Sequence, residues 1–294
     1  MGEGVTSVKP GDAVVVSLIV SCGHCFNCLQ GQPHLCTNKA SLGGQNRFHN
    51  QKGQSLIQMF RVGSMAEYTV VNQSQLVKIP DDMPVDRAAL LGCAVITGFG
   101  SVVWRAQVRA LSSVAVIGTG GVGLNAIQGA AFSGAYPVIA MDILESKLQA
   151  AKEFGATHFV NAREGDTIEA VKKLTSGKGA DYVFVTVGGA SAVKQGYQMT
   201  GRRGTTVMVG LPTPKDNIVS LSPFEFMDTE RVLTGSQMGS TNLQINIPQL
   251  VTLYKAGRLK LDELITNRYP LEQINEAIQE VEKGEVLRNV IVFE

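Results

Sequence analysis

The sequence predicts an α/β protein in which a doubly wound parallel sheet is joined to a second, β-rich domain. Three observations predict it. Short apolar runs alternate with helical patterns from Val114 to Met238, a glycine-rich turn sits at the first of those junctions, and the preceding region has valine-rich segments with Pro and Gly turns but no such rhythm.

The first element is the apolar run Ala13–Cys22, interrupted by Ser17 and Ser21, which reads as a buried strand. It falls well short of the roughly 20 residues that a bilayer span needs, so no membrane-spanning segment is expected. The opening MGEGVTSVKPGD has no basic flank followed by an apolar stretch, so no secretory leader is expected and a cytoplasmic setting follows. Lys and Arg total 26 against 25 Asp and Glu, which leaves no excess charge to draw nucleic acid or an anionic membrane.

Next comes CGHCFNCLQGQPHLC, Cys22 to Cys36, which places four of the five cysteines in fifteen residues. The spacing C-x2-C-x2-C-x7-C lets one loop present Cys22, Cys25, Cys28 and Cys36 to the corners of a tetrahedron, which suits a zinc with no open position for substrate. An iron–sulfur site is the competing reading. A redox pair would need two cysteines at a strand–helix junction, and this run is punctuated by Gly23, Asn27, Gly31 and Pro33. Disulfides are disfavoured in a reducing compartment. His24 and His34 are expected to be exposed loop residues, since four thiolates complete the shell.

The parallel sheet opens at Val114–Ile117, which leads into Gly118-x-Gly120-x-x-Gly123, an Ala-rich helical pattern and a second apolar run ending in Asp142. Gly118 allows the tight turn, Gly120 lets backbone approach a pyrophosphate, and Gly123 lets helix pack on strand. The helix N-terminus offers free N–H groups to the phosphates. Asp142 accepts from the adenosine ribose hydroxyls and repels a 2′-phosphate, so NAD is expected rather than NADP. Helical 144–155, strand 158–161, helical 167–175, strand 181–187, helical 190–200, strand 205–211 and strand 231–238 continue the alternation. Beyond them, 247–256 and 271–283 have helical periodicity and 289–293 reads as a closing strand. Residues 95–238 are therefore expected to form the dinucleotide-binding domain. Residues 1–94 and 239–294 are expected to form the other, with ligand in the cleft between them.

With those motifs in place, the chain resembles the zinc-dependent medium-chain alcohol dehydrogenases over essentially its whole length. The resemblance is carried by VKPGD at Val8–Asp12, the four-cysteine lobe, MAEYTVV at Met65–Val71, LLGCAVITGFG at Leu90–Gly100, GTGGVG, and KEFGATH at Lys152–His158. LYKAGRLKLDELIT and YPLEQINEAI point to the class III-like and bacterial carrier-linked branch. The resemblance implies a Rossmann domain beside a GroES-like catalytic domain with a structural zinc lobe. It also implies NAD-linked hydride transfer between an alcohol and its aldehyde or ketone, and a homodimer or homotetramer paired through the strand at Arg231–Met238.

Residue by residue, the resemblance implies Cys93 as a catalytic zinc ligand and Thr97 and Val122 near the cofactor. It likewise implies that Lys147 reaches the adenosine ribose, Val187 lies beside the nicotinamide and Arg288 meets the pyrophosphate. In the family a segment carrying another cysteine ligand, a GHE histidine and a proton-relay hydroxyl precedes GEGVTSVKPGD. This sequence starts at Met1, after that segment, and the spacing of His24, His34, His49 and His158 suggests no replacement. The expectation is one zinc per chain, the structural one, with an absent or crippled catalytic site. On that footing the chain is either part of an ordinary dehydrogenase with impaired turnover or a short form that binds NAD without turning over alcohol.

Overall fold

The computed structural model describes residues 1–38 and 48–293. The chain divides into two compact units, one of Met1–Cys93 with Thr241–Glu294 and the other of Ala94–Ser240.

The Ala94–Ser240 unit is organised by six parallel strands: β1 (Val114–Ile117), β2 (Val138–Asp142), β3 (His158–Asn161), β4 (Ala180–Val185), β5 (Thr200–Met208) and β6 (Val232–Gly235). Five helices connect them: α1 (Gly121–Phe132), α2 (Glu145–Glu153), α3 (Thr167–Leu174), α4 (Ala190–Met199) and α5 (Pro223–Thr229). All four residues of β1 are buried, as required of a central parallel strand covered by helices on both faces. Ile117, Ile139, Met141, Val183 and Val185 share one buried cluster with Val171 and Val193 from the helices. Asp166 starts α3 by accepting from the N–H groups of Ile168 and Glu169.

The strands lie side by side in the order β6-β5-β4-β1-β2-β3. The chain therefore works outward from β1 in one direction and then, from β4, in the other. The crevice outside the carboxyl ends of β1 and β4 is the switch point where such sheets take ligands. This arrangement places Gly118, just after β1, against Val187, just after β4: a Cβ at Gly118 would lie 2.4 Å from a Val187 methyl.

Three strands of the sheet differ from their expected bounds: β4 spans Ala180–Val185 rather than 181–187, β5 Thr200–Met208 rather than 205–211, and β6 Val232–Gly235 rather than 231–238. β5 begins at Thr200 rather than Thr205, because Ala180 pairs with Thr200 before the register shifts and Tyr182 pairs with Thr205. β6 stops at Gly235 rather than continuing to Met238, because Met238, Gly239 and Ser240 all have positive φ, which a strand cannot accommodate. Gly239 is tied to that turn, since a Cβ there would lie 2.1 Å from the carbonyl oxygen of Ile96.

The other unit contains short pairings. Val14–Val16 runs antiparallel to Leu76–Lys78, Phe48–His49 antiparallel to Ser55–Leu56, and Ile265–Tyr269 parallel to Arg288–Ile291. The strand expected over Ala13–Cys22 is confined to Val14–Val16. At Ser17 the hydroxyl turns to donate to the Gly92 carbonyl at 2.7 Å, and Ile19 and Val20 are buried without joining a ladder. Helix Leu243–Lys255 starts four residues before its expected bound because Asn242 caps it through the N–H of Gln244, and Pro248 lies inside it. Helix Ile274–Lys283 ends at Gly284 in the left-handed region, which favours glycine.

The expectation of no membrane-spanning segment rested on Ala13–Cys22. The helical stretch Val85–Arg105 is long and apolar enough to cross a membrane by length and composition, and 72% of its most apolar window is buried inside the protein, as in a core helix.

Candidate cofactor and metal sites

The cysteine lobe is built from two short turns, helix Phe26–Leu29 and the 3-10 turn Pro33–Leu35, within a run that reads as loop from its sequence. They fold Cys22, Cys25, Cys28 and Cys36 inward until their four sulfurs lie within 4.8 Å of one another. The Cys25 sulfur is 3.5 Å from that of Cys28 and 3.8 Å from that of Cys36. A tetrahedron with Zn–S bonds of about 2.3 Å has edges of about 3.8 Å, so the four free thiols fit a structural zinc. Backbone N–H groups of Cys22 and Cys25 point at the sulfurs of Cys36 and Cys22, each at 3.3 Å, the kind of outer support that steadies metal thiolates.

Two neighbouring thiols titrate in opposite directions. Backbone N–H donation at Cys28, then at Thr37, draws the Cys25 thiol down to about 5. Desolvation pushes Cys28 up to about 11. His24 is exposed as expected, but His34 is buried, because the 3-10 turn Pro33–Leu35 carries it inward. Neither histidine joins the sulfur cluster.

The glycine loop has the geometry of an anion cradle. Gly118 takes a φ of +87°, and a Cβ at Gly123 would lie 1.8 Å from the Gly118 carbonyl oxygen, so the loop closes only with glycine there. Gly120 caps α1 without a side chain, and a Cβ at Gly120 would meet nothing within 4 Å. That open space lies at the positive end of a twelve-residue helix, where a pyrophosphate is favoured. The residues present fit a dinucleotide.

Two threonines that sequence reading passed over shape this loop. The Thr186 hydroxyl donates to the Gly118 carbonyl at 2.7 Å, with the Ile117 carbonyl also within 3.0 Å. Thr119 donates through both its N–H and its hydroxyl to Asp142. A hydroxyl in the second position of GxGxxG, with an acid at the end of the next strand, was the available signal.

The other expected residues are placed as follows. Asp142 is partly buried at the end of β2, and Lys147 is buried in the first turn of α2. Val187 is 39% exposed. Thr97 is buried, with its hydroxyl 3.4 Å from the Met238 sulfur. Val122, in the first turn of α1, presents its carbonyl to Gly98, whose Cβ would lie only 2.1 Å away.

In the other unit, Cys93 lies in the π-helical turn Leu91–Val95, a form that often marks functional positions. Gly92 anchors that turn, since a Cβ there would lie 2.3 Å from the Val16 carbonyl oxygen. The structure brings Cys93 near Arg288. Desolvation raises the Cys93 thiol although the residue has an exposed side, and the Arg288 charge pulls it back down. Arg288 in turn is lowered by desolvation, with Cys93 opposing.

Comparison with known proteins gives two family matches, "Alcohol dehydrogenase GroES-like domain" over residues 1–81 and "Zinc-binding dehydrogenase" over residues 121–256. The chain is 40% identical to the NDMA-dependent alcohol dehydrogenase of Amycolatopsis methanolica, over 99% of this chain and 80% of that protein. It is 36% identical to the S-(hydroxymethyl)glutathione dehydrogenase of Saccharomyces cerevisiae, over 99% of this chain and 78% of that protein. Among solved structures, an alcohol dehydrogenase zinc-binding domain protein from Burkholderia ambifaria superposes with a TM-score of 0.92 at 32% identity, covering 100% of this chain and 80% of that one.

Proposed function

The chain belongs to the zinc-dependent medium-chain alcohol dehydrogenase family, and on that premise we propose that it moves hydride between a small alcohol, with its aldehyde or ketone, and NAD. The observation that carries the reading is the open, glycine-lined N-terminus of α1 beside Asp142, at the switch point of the sheet. NAD, when bound, supplies the hydride acceptor. The chain's own residues bind and orient it: Gly118, Gly120 and Gly123 admit the pyrophosphate, Asp142 and Lys147 take the adenosine ribose, and Val187, Thr97 and Val122 shape the approach to the ring.

Zinc held by Cys22, Cys25, Cys28 and Cys36 has every position taken by thiolate, so it closes the lobe and does no reaction chemistry. Among the described residues those four cysteines are the only group of three or more His, Cys, Asp or Glu side chains set to hold a metal. No step is therefore assigned through a second zinc at Cys93. The sheet ends at β6, whose Val232 is 47% exposed, and this supports a homodimer formed by β6 of two copies.

The test is titration of zinc-reconstituted protein with NADH, then turnover with NAD and a panel of primary alcohols. NADH binding with slow NADH formation is expected, in line with the impaired catalytic site read from the sequence. Binding of neither coenzyme overturns the reading, and NADH binding without turnover of any alcohol or aldehyde removes the hydride transfer while leaving the coenzyme assignment.

A further inference from the structure

We propose that Thr119 is a positioning residue for coenzyme choice: it pins the Asp142 carboxylate so that the anion accepts a free ribose 2′-hydroxyl and rejects a 2′-phosphate. The inference rests on the NAD reading above and deepens it.

The Asp142 carboxylate is held by four donors of the chain itself. Oδ2 accepts from the Thr119 N–H at 2.7 Å and the Thr119 hydroxyl at 3.0 Å. Oδ1 accepts from the N–H groups of Ile143 at 2.8 Å and Leu144 at 3.1 Å. Both carboxylate oxygens are thus anchored from the protein side, and each can still take a further donor from a ligand. Turning the carboxylate about its Cβ–Cγ bond therefore breaks bonds on both oxygens at once.

Three of the donors are backbone N–H groups, whose positions follow from the turn after β1 and the turn after β2. Among the described residues the Thr119 hydroxyl is the single side-chain donor to this carboxylate, and therefore the one that a substitution can remove. Thr119 is fully buried, so its hydroxyl supports the carboxylate from inside the fold, while Asp142 keeps a partly open face for ligand.

A pinned anion discriminates from both sides. It presents an aligned acceptor to the ribose diol, which lowers the orientational cost of that contact. It also cannot swing away from a phosphate, whose charge would sit against it. Loosening the carboxylate weakens the first effect and relieves the second. The quantity that reports Thr119 is thus the ratio of NADH to NADPH affinity rather than either affinity alone.

Dissociation constants for both coenzymes are measured by titration of wild-type, Thr119→Val and Thr119→Ser proteins, without added substrate. Thr119→Val is expected to cut the NADH preference roughly 10-fold, the scale of a lost hydrogen bond to a charged group. Thr119→Ser keeps the hydroxyl and should stay within about twofold of wild type, and on an Asp142→Asn background Thr119→Val should also move the ratio by less than about twofold. A Thr119→Val protein with the wild-type ratio overturns the role even if its Tm falls, because general loosening weakens both coenzymes alike. Wild-type protein that does not favour NADH overturns this role and the NAD reading together, whereas wild-type preference with an unmoved Thr119→Val ratio overturns this role only. Should Thr119→Val fail to fold, Thr119→Ala is judged by the same ratio.

Discussion

The cysteine lobe and the glycine loop both present backbone and small polar groups to a ligand, yet they are held in shape by different physics. In the lobe, Phe26 is 77% and Leu29 is 74% exposed, and helix Phe26–Leu29 buries none of its residues. In the sheet, β1 is buried end to end, and Leu124, Ala126, Ile127 and Ala130 of α1 are fully buried. A segment with so little apolar burial gains little from packing to offset its own conformational entropy, and on the proposed zinc assignment four thiolate–metal bonds supply the difference. The glycine loop borrows its order from a core that exists without ligand. On that assignment, order is expected to depend on metal supply in one region and on packing in the other.

The sharpest way to break this contrast is to remove the metal. Cys36→Ser should weaken zinc binding by at least about 100-fold and open the lobe to proteolysis between Cys22 and Cys36, with NADH affinity nearly unchanged. Elemental analysis with limited proteolysis reads the first effect and coenzyme titration the second. Joint loss of lobe order and NADH binding would show that the two regions are not separately held.

The reciprocal variant acts on packing. In Gly123→Ala the new methyl would collide with the Gly118 carbonyl at 1.8 Å. It should cost about 1–3 kcal/mol of stability by urea denaturation and lose most NADH binding, while zinc content stays at the wild-type value. A variant with wild-type coenzyme affinity would show that the loop has slack that the geometry denies.

A smaller effect concerns the cysteine-lobe unit, where Arg87 pairs with Asp86 and Asp262, and Arg268 also pairs with Asp86. Desolvation pushes both carboxyls up, but hydrogen bonds from Arg87, joined by Arg268 at Asp86 and Tyr254 at Asp262, outweigh it and hold both below the usual carboxylate range. Carboxyls with a folded pKa below the unfolded one stabilise the fold above the unfolded value, near about 3.9, and lose that contribution as pH falls through the folded value. Arg87→Ala should therefore cost about 1 kcal/mol or less near neutrality and flatten the loss of stability on acidification. Urea midpoints measured down a pH series check this. An acid limb as steep as that of wild type would assign it to other groups.

What could be read from the sequence follows the range of each interaction. The zinc ligand set was legible because all four cysteines lie in one fifteen-residue run, and spacing alone decides which sulfurs can converge. The sheet and its cofactor turn were legible because β1, the glycines and α1 are consecutive. Other features depended on residues far apart in the chain. The strand expected through Cys22 stops at Val16, because Ser17 finds Gly92. The hydrogen bonds of Thr119 to Asp142, the contact of Gly118 with Val187 and the approach of Cys93 to Arg288 likewise join separate elements.

By itself, then, the sequence determined the family, the parallel sheet, the metal-binding lobe and the glycine turn, all written in short contiguous patterns. Only the tertiary structure decided which hydroxyl supports Asp142, which loops meet at the switch point and which thiol faces Arg288. Those pairings depend on strand order and register, and these are settled by cooperative packing of the whole sheet rather than by any window of residues.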